Sequence, residues 1–186
     1  GNYYDGFVAK FSPNGQQVWS TYVGPGWTEV MDIVLDVAGN ILLAGYTLAP
    51  GWVSGGYDTS HNGGMDTFVL KLSPAGRHLW STYVGDSRNF SARSIAVDAA
   101  GTAFVVGHIW FFGAGGRYGF VVAVSSSANR LWSTTLAGNG MNSFENIAID
   151  PDGNLFVTGY TESPRWVSGG FDTTYNGPSD AFVAAM

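Results

Sequence analysis

A repeat of roughly 60 residues constrains the fold of this chain more than any other feature. The motif W-S-T occurs three times and the motif F-V recurs four times in the same register. Their first residues are Trp19, Trp80 and Trp132, and Phe7, Phe68, Phe120 and Phe182. The copies span residues 1–64, 65–117 and 118–179, and residues 180–186 begin a further copy. We expect these tryptophans and phenylalanines to form the structural core of the repeat.

Four strand-like runs recur in every copy, and in the first copy they cover residues 5–11, 16–23, 31–37 and 40–46. Residue types alternate along the first run with the period of two that a strand with distinct faces requires. Proline and glycine at residues 12–15, and glycine at residues 36–40, favour tight turns between the runs. The pattern therefore predicts an all-β propeller of four-stranded antiparallel blades, three of them visible, that form one propeller-like domain.

The composition agrees with short strands and excludes several classes of function. Only 12% of the 186 residues are charged, whereas 27 are glycine and 15% are aromatic. A net charge of −6 and scattered basic residues argue against binding to nucleic acid. An apolar run long enough to span a membrane is missing, and so is cysteine, which removes disulfides and thiolate metal sites. Because the chain opens at Gly1 inside a repeat, we expect the native polypeptide to be longer.

The repeat resembles a known bacterial one. The pattern D-x-F-V-x-K-x-S-P-x-G, then W-S-T-Y, then I-x-V-D-x-x-G-N and a G-G-Y-D-T-S-x-N-G-G linker resembles the SBBP repeat, a β-propeller repeat. The resemblance extends over essentially the whole chain. It implies a propeller fold and an extracellular, cell-surface or periplasmic setting, and it implies no particular chemistry.

Three copies are fewer than the four to eight blades with which propellers close. The copies therefore form an open arc with exposed edges, and unpaired edges favour association. Three interpretations stay open: the chain is a fragment of a larger propeller, it pairs with a second chain into a six-bladed ring, or it joins a larger assembly by strand donation.

Histidines and serines give no catalytic or zinc-binding pattern. The three histidines, His61, His78 and His108, fall at different positions of the repeat and lack a metal-ligand spacing. Ser54 and Ser168 lie in identical W-V-S-G-G segments without a histidine beside both, so a shared loop explains them better than a nucleophile. We therefore predict no cofactor and no catalytic residue.

Acidic residues leave two weak alternatives. Asp150, Asp152 and Asn154 resemble the start of a calcium-binding loop, although the equivalent residues 36–40 lack the second carboxylate and a hairpin turn is favoured. Paired carboxylates could also hydrolyse polysaccharide. The acids that break the repeat, and so are the freest to act, are Glu29, Asp32, Glu145 and Glu162.

Aromatic residues in the loops are the strongest candidates for contact with a ligand or partner. Such rings stack on sugars or anchor proteins, and the competing interpretation is packing between blades. The second copy lacks the W-V-S-G-G-Y-D-T segment, so its connector is about nine residues shorter than the others. The candidates are Trp27, Trp52, Tyr57, Trp110, Phe111, Trp166, Phe171 and Tyr175.

The sequence therefore predicts a non-catalytic extracellular or cell-surface scaffold that binds protein or glycan through aromatic-rich loops. The first alternative is a structural subunit that self-associates through open blade edges. The second is a polysaccharide-active enzyme on a propeller scaffold.

Overall fold

The computed structural model describes residues 4–110, 116–136, 140–164 and 167–186, which form thirteen β-strands and no helix. In chain order they are β1 (Gly6–Phe11), β2 (Gln17–Val23), β3 (Thr28–Leu35), β4 (Ile41–Thr47), β5 (Asp66–Leu72), β6 (His78–Val84), β7 (Asn89–Val97), β8 (Ala103–Trp110), β9 (Arg117–Val124), β10 (Arg130–Leu136), β11 (Asn142–Ile149), β12 (Leu155–Thr161) and β13 (Asp180–Ala185). No described segment could cross a membrane as a helix.

The strands form four antiparallel sheets that follow one another along an open arc. The first sheet is β1–β2, the second β3–β4–β5–β6, the third β7–β8–β9–β10 and the fourth β11–β12–β13. Each complete sheet is a four-stranded blade with its strands in sequence order. The predicted all-β propeller architecture is thereby confirmed.

The sheets are offset by two strands from the sequence copies 1–64, 65–117 and 118–179. β4 pairs with β5 across the copy boundary, with Gly45 opposite Phe68, although a long connector separates these strands. The short G-P-G segment between β2 and β3 instead moves the chain to the next sheet. Both connections are glycine-rich loops, so sequence alone could not tell which of them ends a blade.

Apolar layers between successive sheets form the core. Leu43, Leu70 and Tyr83 face the first sheet from the second, while Leu42, Val69 and Trp80 face the third. A further layer around Phe144 and Val157 joins the third and fourth sheets. Each sheet therefore buries both of its faces only where it has a neighbour on both sides.

The repeated aromatic residues contact the neighbouring sheets, the phenylalanines on the preceding side and the tryptophans on the following side. Phe68, Phe120 and Phe182 are buried against the preceding sheet. The indole nitrogen of Trp19 donates to the carbonyl of Pro74 at 3.3 Å, and that of Trp80 donates to the carbonyl of Ser126 at 3.1 Å. Each acceptor lies in the last hairpin turn of the following sheet, β5–β6 for Pro74 and β9–β10 for Ser126.

Three of the seven expected core residues are not buried. Phe7 is 68% exposed and Trp132 is 39% exposed, while Trp19 is half-buried. Phe7 faces the side of β1 on which no described sheet packs. Trp132 lacks the carbonyl of a following hairpin turn, which accepts a hydrogen bond from Trp19 and from Trp80, among the described residues. The repeat places these residues correctly in strands, but burial depends on a neighbouring sheet.

Candidate functional site

A bulge repeated in the first strand of the second, third and fourth sheets builds the candidate site. The pairing of β3, β7 and β11 with the next strand skips one residue in each case. The skipped residues are Met31, Arg93 and Glu145. Bulges redirect side chains and are common beside functional sites. These three positions are therefore candidates for a functional site, although the residue type changes from copy to copy.

Polar contacts hold the three bulged strands side by side. The Ser94 hydroxyl donates to Asp32 Oδ2 at 2.7 Å and also lies 3.1 Å from Asn146 Oδ1. The backbone N–H of Ile95 donates to the same Asp32 oxygen at 2.9 Å. These residues directly follow the bulges, so the strands β3, β7 and β11 line one inner surface of the arc.

Charged and aromatic side chains gather at the end of the sheets where these inner strands begin, which we call the connector end. The opposite end, with the turns at residues 36–40, 98–102 and 150–154, is called the turn end. The group at the connector end is called the axial cluster. It consists of Trp27, Glu29, Tyr46, Arg93, His108, Ser143 and Glu145.

Arg93 is the centre of the axial cluster. Its Nε lies 3.8 Å from Glu145 Oε2, which is too far for a hydrogen bond. The buried Nε–H of Arg93 has no acceptor among the described residues. Burial and the neighbouring Glu29 raise the pKa of Tyr46 to about 12, and Arg93 partly opposes this rise. Arg93 and Glu145 are about one-third and two-fifths exposed, so both are reachable by a ligand.

His108 forms the buried floor of the cluster. Its Nδ1 lies 3.0 Å from the hydroxyl of Ser143, and that hydroxyl donates a hydrogen bond to Glu145. We therefore assign the Nδ1–H tautomer, which leaves Nε2 as a buried acceptor without a hydrogen-bond partner among the described residues. Burial, together with Arg93 and Arg117, lowers the pKa of His108 to about 3.

The contacts within the cluster differ from those of a serine nucleophile and its base. A serine is activated when its hydroxyl donates a hydrogen bond to a histidine that takes its proton, whereas the Ser143 hydroxyl donates its hydrogen bond to Glu145. A histidine with a pKa near 3 is also a poor general base at neutral pH. The cluster is therefore better suited to recognition than to acyl transfer.

Trp27 covers the outer side of the cluster. Its side chain is 44% exposed, and its indole N–H donates to Glu29 Oε1 at 3.2 Å. Its φ of 41° lies in the left-handed region, which an aromatic residue rarely adopts. An exposed tryptophan held in a strained backbone is typical of a functional position.

Two of the predicted contact residues contribute mainly to packing. Trp52 stacks edge-on against Phe68 and Tyr83, with ring centroids 5.0 and 6.3 Å apart. Tyr57 packs against the layer between the second and third sheets. These rings stabilise the long connector between β4 and β5.

The other predicted contact residues lie in or beside the two later connectors. Trp110 is half-buried, with the guanidinium of Arg117 3.5 Å from its ring centre. Phe171 is fully exposed and Tyr175 is half-buried. Phe111 and Trp166 lie outside the described residues.

The remaining candidates are dispersed. Asp150 accepts hydrogen bonds from Asp152 N, Asn154 N and Asn154 Nδ2, as Asp36 does in its own turn, so its oxygens are occupied by the hairpin. The described ranges contain no group of three or more metal-ligating side chains. The structure brings Glu29 and Glu145 to the same cluster. Asp32 instead accepts a hydrogen bond from Ser94 on the neighbouring inner strand, and Glu162 accepts one from the backbone N–H of Met141.

Sequence analysis missed Arg93, Tyr46 and Ser143. For Arg93 the available signal was the position two residues before Ile33, Ile95 and Ile147, where methionine, arginine and glutamate replace one another within an otherwise regular repeat. A change of residue type at a bulge is visible in the sequence only after the bulge itself has been located.

Two comparisons connect these features with known proteins. The model of the SBBP β-propeller repeat matches residues 132–164, which confirms the resemblance inferred from the motifs. An uncharacterized WD repeat-containing protein, L264, of Acanthamoeba polyphaga mimivirus is 21% identical over 203 aligned residues, covering 86% of this chain. The alignment covers only 15% of the length of that relative.

Proposed function

Because the chain carries an SBBP-type β-propeller repeat, we propose that it is a non-catalytic binding module that engages a protein partner through the axial cluster. The fold and the similarity to a WD repeat-containing protein support a repeat scaffold as the general class. The choice of surface rests on the side chains at the connector end.

The observation that carries this proposal is the exposed Trp27 in a left-handed backbone conformation. Tryptophan and arginine dominate the energetics of protein interfaces, and Trp27 lies in one cluster with Arg93. About one-third of the Arg93 side chain is exposed, and a guanidinium is suited to an acceptor on the partner, such as a carboxylate or a backbone carbonyl. Glu29 and Glu145 favour a partner that also carries basic groups.

We further propose an extracellular or cell-surface setting, which the resemblance to SBBP repeats supports. Protease treatment of intact cells that produce the native polypeptide tests this setting. Loss of the protein from intact cells is expected, and protection until the cells are lysed would contradict it.

The binding proposal is tested with immobilised chain and extracts of the native source, and the variants Trp27→Ser and Arg93→Ala. We expect the native chain to retain one or a few proteins that neither variant retains. Each substitution should raise the dissociation constant for the partner about 30-fold or more, because tryptophan and arginine are central residues of protein interfaces. The readout is quantitative mass spectrometry followed by titration with the purified partner.

A matched control is Val37→Ser, because Val37 is 83% exposed at the turn end of the same β3–β4 hairpin. Retention should be unaffected by this change. Equal loss with all three variants, or no loss with Trp27→Ser and Arg93→Ala, would contradict the proposal. Retention that depends on glycosidase-sensitive material would identify a glycan instead, since an exposed indole also stacks on sugars.

A further inference from the structure

A groove beside β13 has a filled counterpart elsewhere in the same molecule. In the second sheet, β6 pairs with β5 on one edge and with the long connector on the other. Ser81 N–H donates to the carbonyl of Ser54 at 2.8 Å, and Tyr83 N–H donates to that of Asp58 at 2.9 Å. The connector between β4 and β5 therefore acts as a clamp over the last strand of its blade.

The fourth sheet has the same connector sequence, but its described part has no fourth strand for the connector to cover. V-S-G-G at residues 53–56 recurs as V-S-G-G at residues 167–170, and the following aromatic, aspartate and threonine are also retained. Phe171 is fully exposed, whereas the equivalent Tyr57 is packed into a core layer. Between this connector and β13 lies an open cavity of about 1280 Å³.

Glycine contacts show the same difference at atomic scale. A Cβ on Gly56 would lie 2.4 Å from Cβ of Thr82 in β6, so only glycine fits beneath that strand. A Cβ on the equivalent Gly170 would meet nothing within 4 Å. The connector before β13, called the terminal connector, thus retains a glycine at the position where a closely packed strand requires one. No described strand pairs with β13 on the side away from β12.

The strand that fits this groove is present at the other end of the chain. β2 contains V-W-S-T-Y-V, and β6, which fills the equivalent groove, contains L-W-S-T-Y-V. Tyr22 in β2 is 80% exposed, whereas the equivalent Tyr83 is fully buried under its connector. β2 therefore presents the side chain that the clamp encloses in the second sheet.

We propose that a second copy of this chain completes the fourth sheet through its β1–β2 hairpin. β1 and β13 are copies of the same strand, so β1 of the second copy replaces β13 beside β12, and its Phe7 takes the place of Phe182 opposite Gly159. β2 of the second copy then lies under the terminal connector. The hairpin remains intact during the exchange, so each backbone pair lost by β13 is regained by β1.

Reciprocal exchange closes a ring. Each copy contributes two complete sheets, and each of the two exchanges makes one shared sheet from β11 and β12 of one copy and β1 and β2 of the other. Two copies therefore form six blades, within the four to eight at which propellers close. The exposed Phe7 becomes buried in this arrangement, as the equivalent Phe182 is in the single chain.

The test is the molar mass of the purified 186-residue chain by size-exclusion chromatography with light scattering. We expect twice 19.7 kDa. Tyr22→Asp should raise the dimer dissociation constant about 30-fold or more, because a charge enters a site that encloses an aromatic ring. Val18→Asp on the same strand should have no effect, since the equivalent Leu79 stays 48% exposed in its completed blade.

Gly170→Val should block the groove from the acceptor side, and it alters a position that is open in the single chain. An equimolar mixture of Tyr22→Asp and Gly170→Val chains retains one intact junction and should recover a dimer, which also shows that both variants fold. The proposal would be overturned if the native chain were monomeric or formed an assembly larger than two copies. It would also be overturned if Val18→Asp dissociated the dimer as much as Tyr22→Asp, or if the mixture stayed monomeric.

Discussion

At the scale of single residues, a buried ion pair distinguishes the second sheet from the others. Lys71 Nζ lies 2.9 Å from Asp36 Oδ2, and both side chains are buried. Burial raises the pKa of Asp36, but hydrogen bonds from Asn40 and Lys71 outweigh this effect and hold the pKa at about 2. The equivalent Lys10 in the first sheet is exposed, and its Nζ donates to the carbonyl of Pro74 at 3.4 Å.

Replacing Lys71 by methionine should therefore destabilise the fold by about 3 kcal/mol, because a buried carboxylate loses its counter-ion. The measurement is urea unfolding at neutral pH. Lys10→Met is the matched control and should change the free energy of unfolding by less than about 0.5 kcal/mol. Equal effects of the two substitutions would show that the buried pair has no special role.

A second prediction at this scale concerns pH. Since the pKa of His108 falls from 6.5 to about 3 on folding, the unfolded chain binds a proton that the folded chain excludes between these values. The stability contributed by the neutral histidine is present above about pH 6.5 and declines by about 1.4 kcal/mol per pH unit as the pH falls toward 3. Unfolding measured at pH 7 and pH 4.5 gives this slope.

His108→Gln removes the titrating group and keeps a polar side chain on the cluster floor. The loss of stability between pH 7 and pH 4.5 should be smaller in this variant than in the native chain by about 2 to 3 kcal/mol. An identical loss in both proteins would place the responsible proton on another group.

At the scale of elements, a glycine permits the bulge in each inner strand. Gly45, Gly107 and Gly159 lie in β4, β8 and β12, opposite the bulged strands. A Cβ on Gly107 would lie 2.1 Å from the carbonyl oxygen of Ser91. The close approach of two backbones, rather than a positive φ, is the reason for these glycines.

Gly107→Ala should consequently destabilise the third sheet by about 3 kcal/mol, since either the bulge or the β7–β8 pairing must shift. Gly116→Ala is the control, because a Cβ there meets no atom within 4 Å and the residue lies outside the proposed junction between copies. Thermal unfolding of both variants provides the comparison. A Gly107→Ala protein as stable as the control would mean that the inner strands do not approach as closely as described.

Strand positions could be predicted from the sequence because alternation and turn residues act locally. The four-strand period around Phe68 and Trp80 was predicted for the same reason. The grouping of strands into sheets could not be predicted, since pairing of β4 with β5 and separation of β2 from β3 depend on packing between distant segments. The bulge at Arg93 was also hidden, because it inserts one residue without changing the repeat motifs around it.

At the scale of the whole molecule, the axial cluster exists only because three sheets stack. Glu29, Arg93 and Glu145 come from successive copies, and the Ser94–Asp32 hydrogen bond holds two of their strands together. The loop aromatics were the sequence-based candidates for this role. The structure makes Trp27 part of the cluster, whereas Trp52 and Tyr57 stabilise a connector.

Hydrogen–deuterium exchange of the chain with and without its retained protein partner tests the proposed binding role most directly. We predict added protection at residues 27–31, 91–93 and 143–145, where the three inner strands begin, and unchanged exchange at the turn end around residues 36–40 and 98–102. Protection confined to the turn end, with no change at the connector end, would contradict the account.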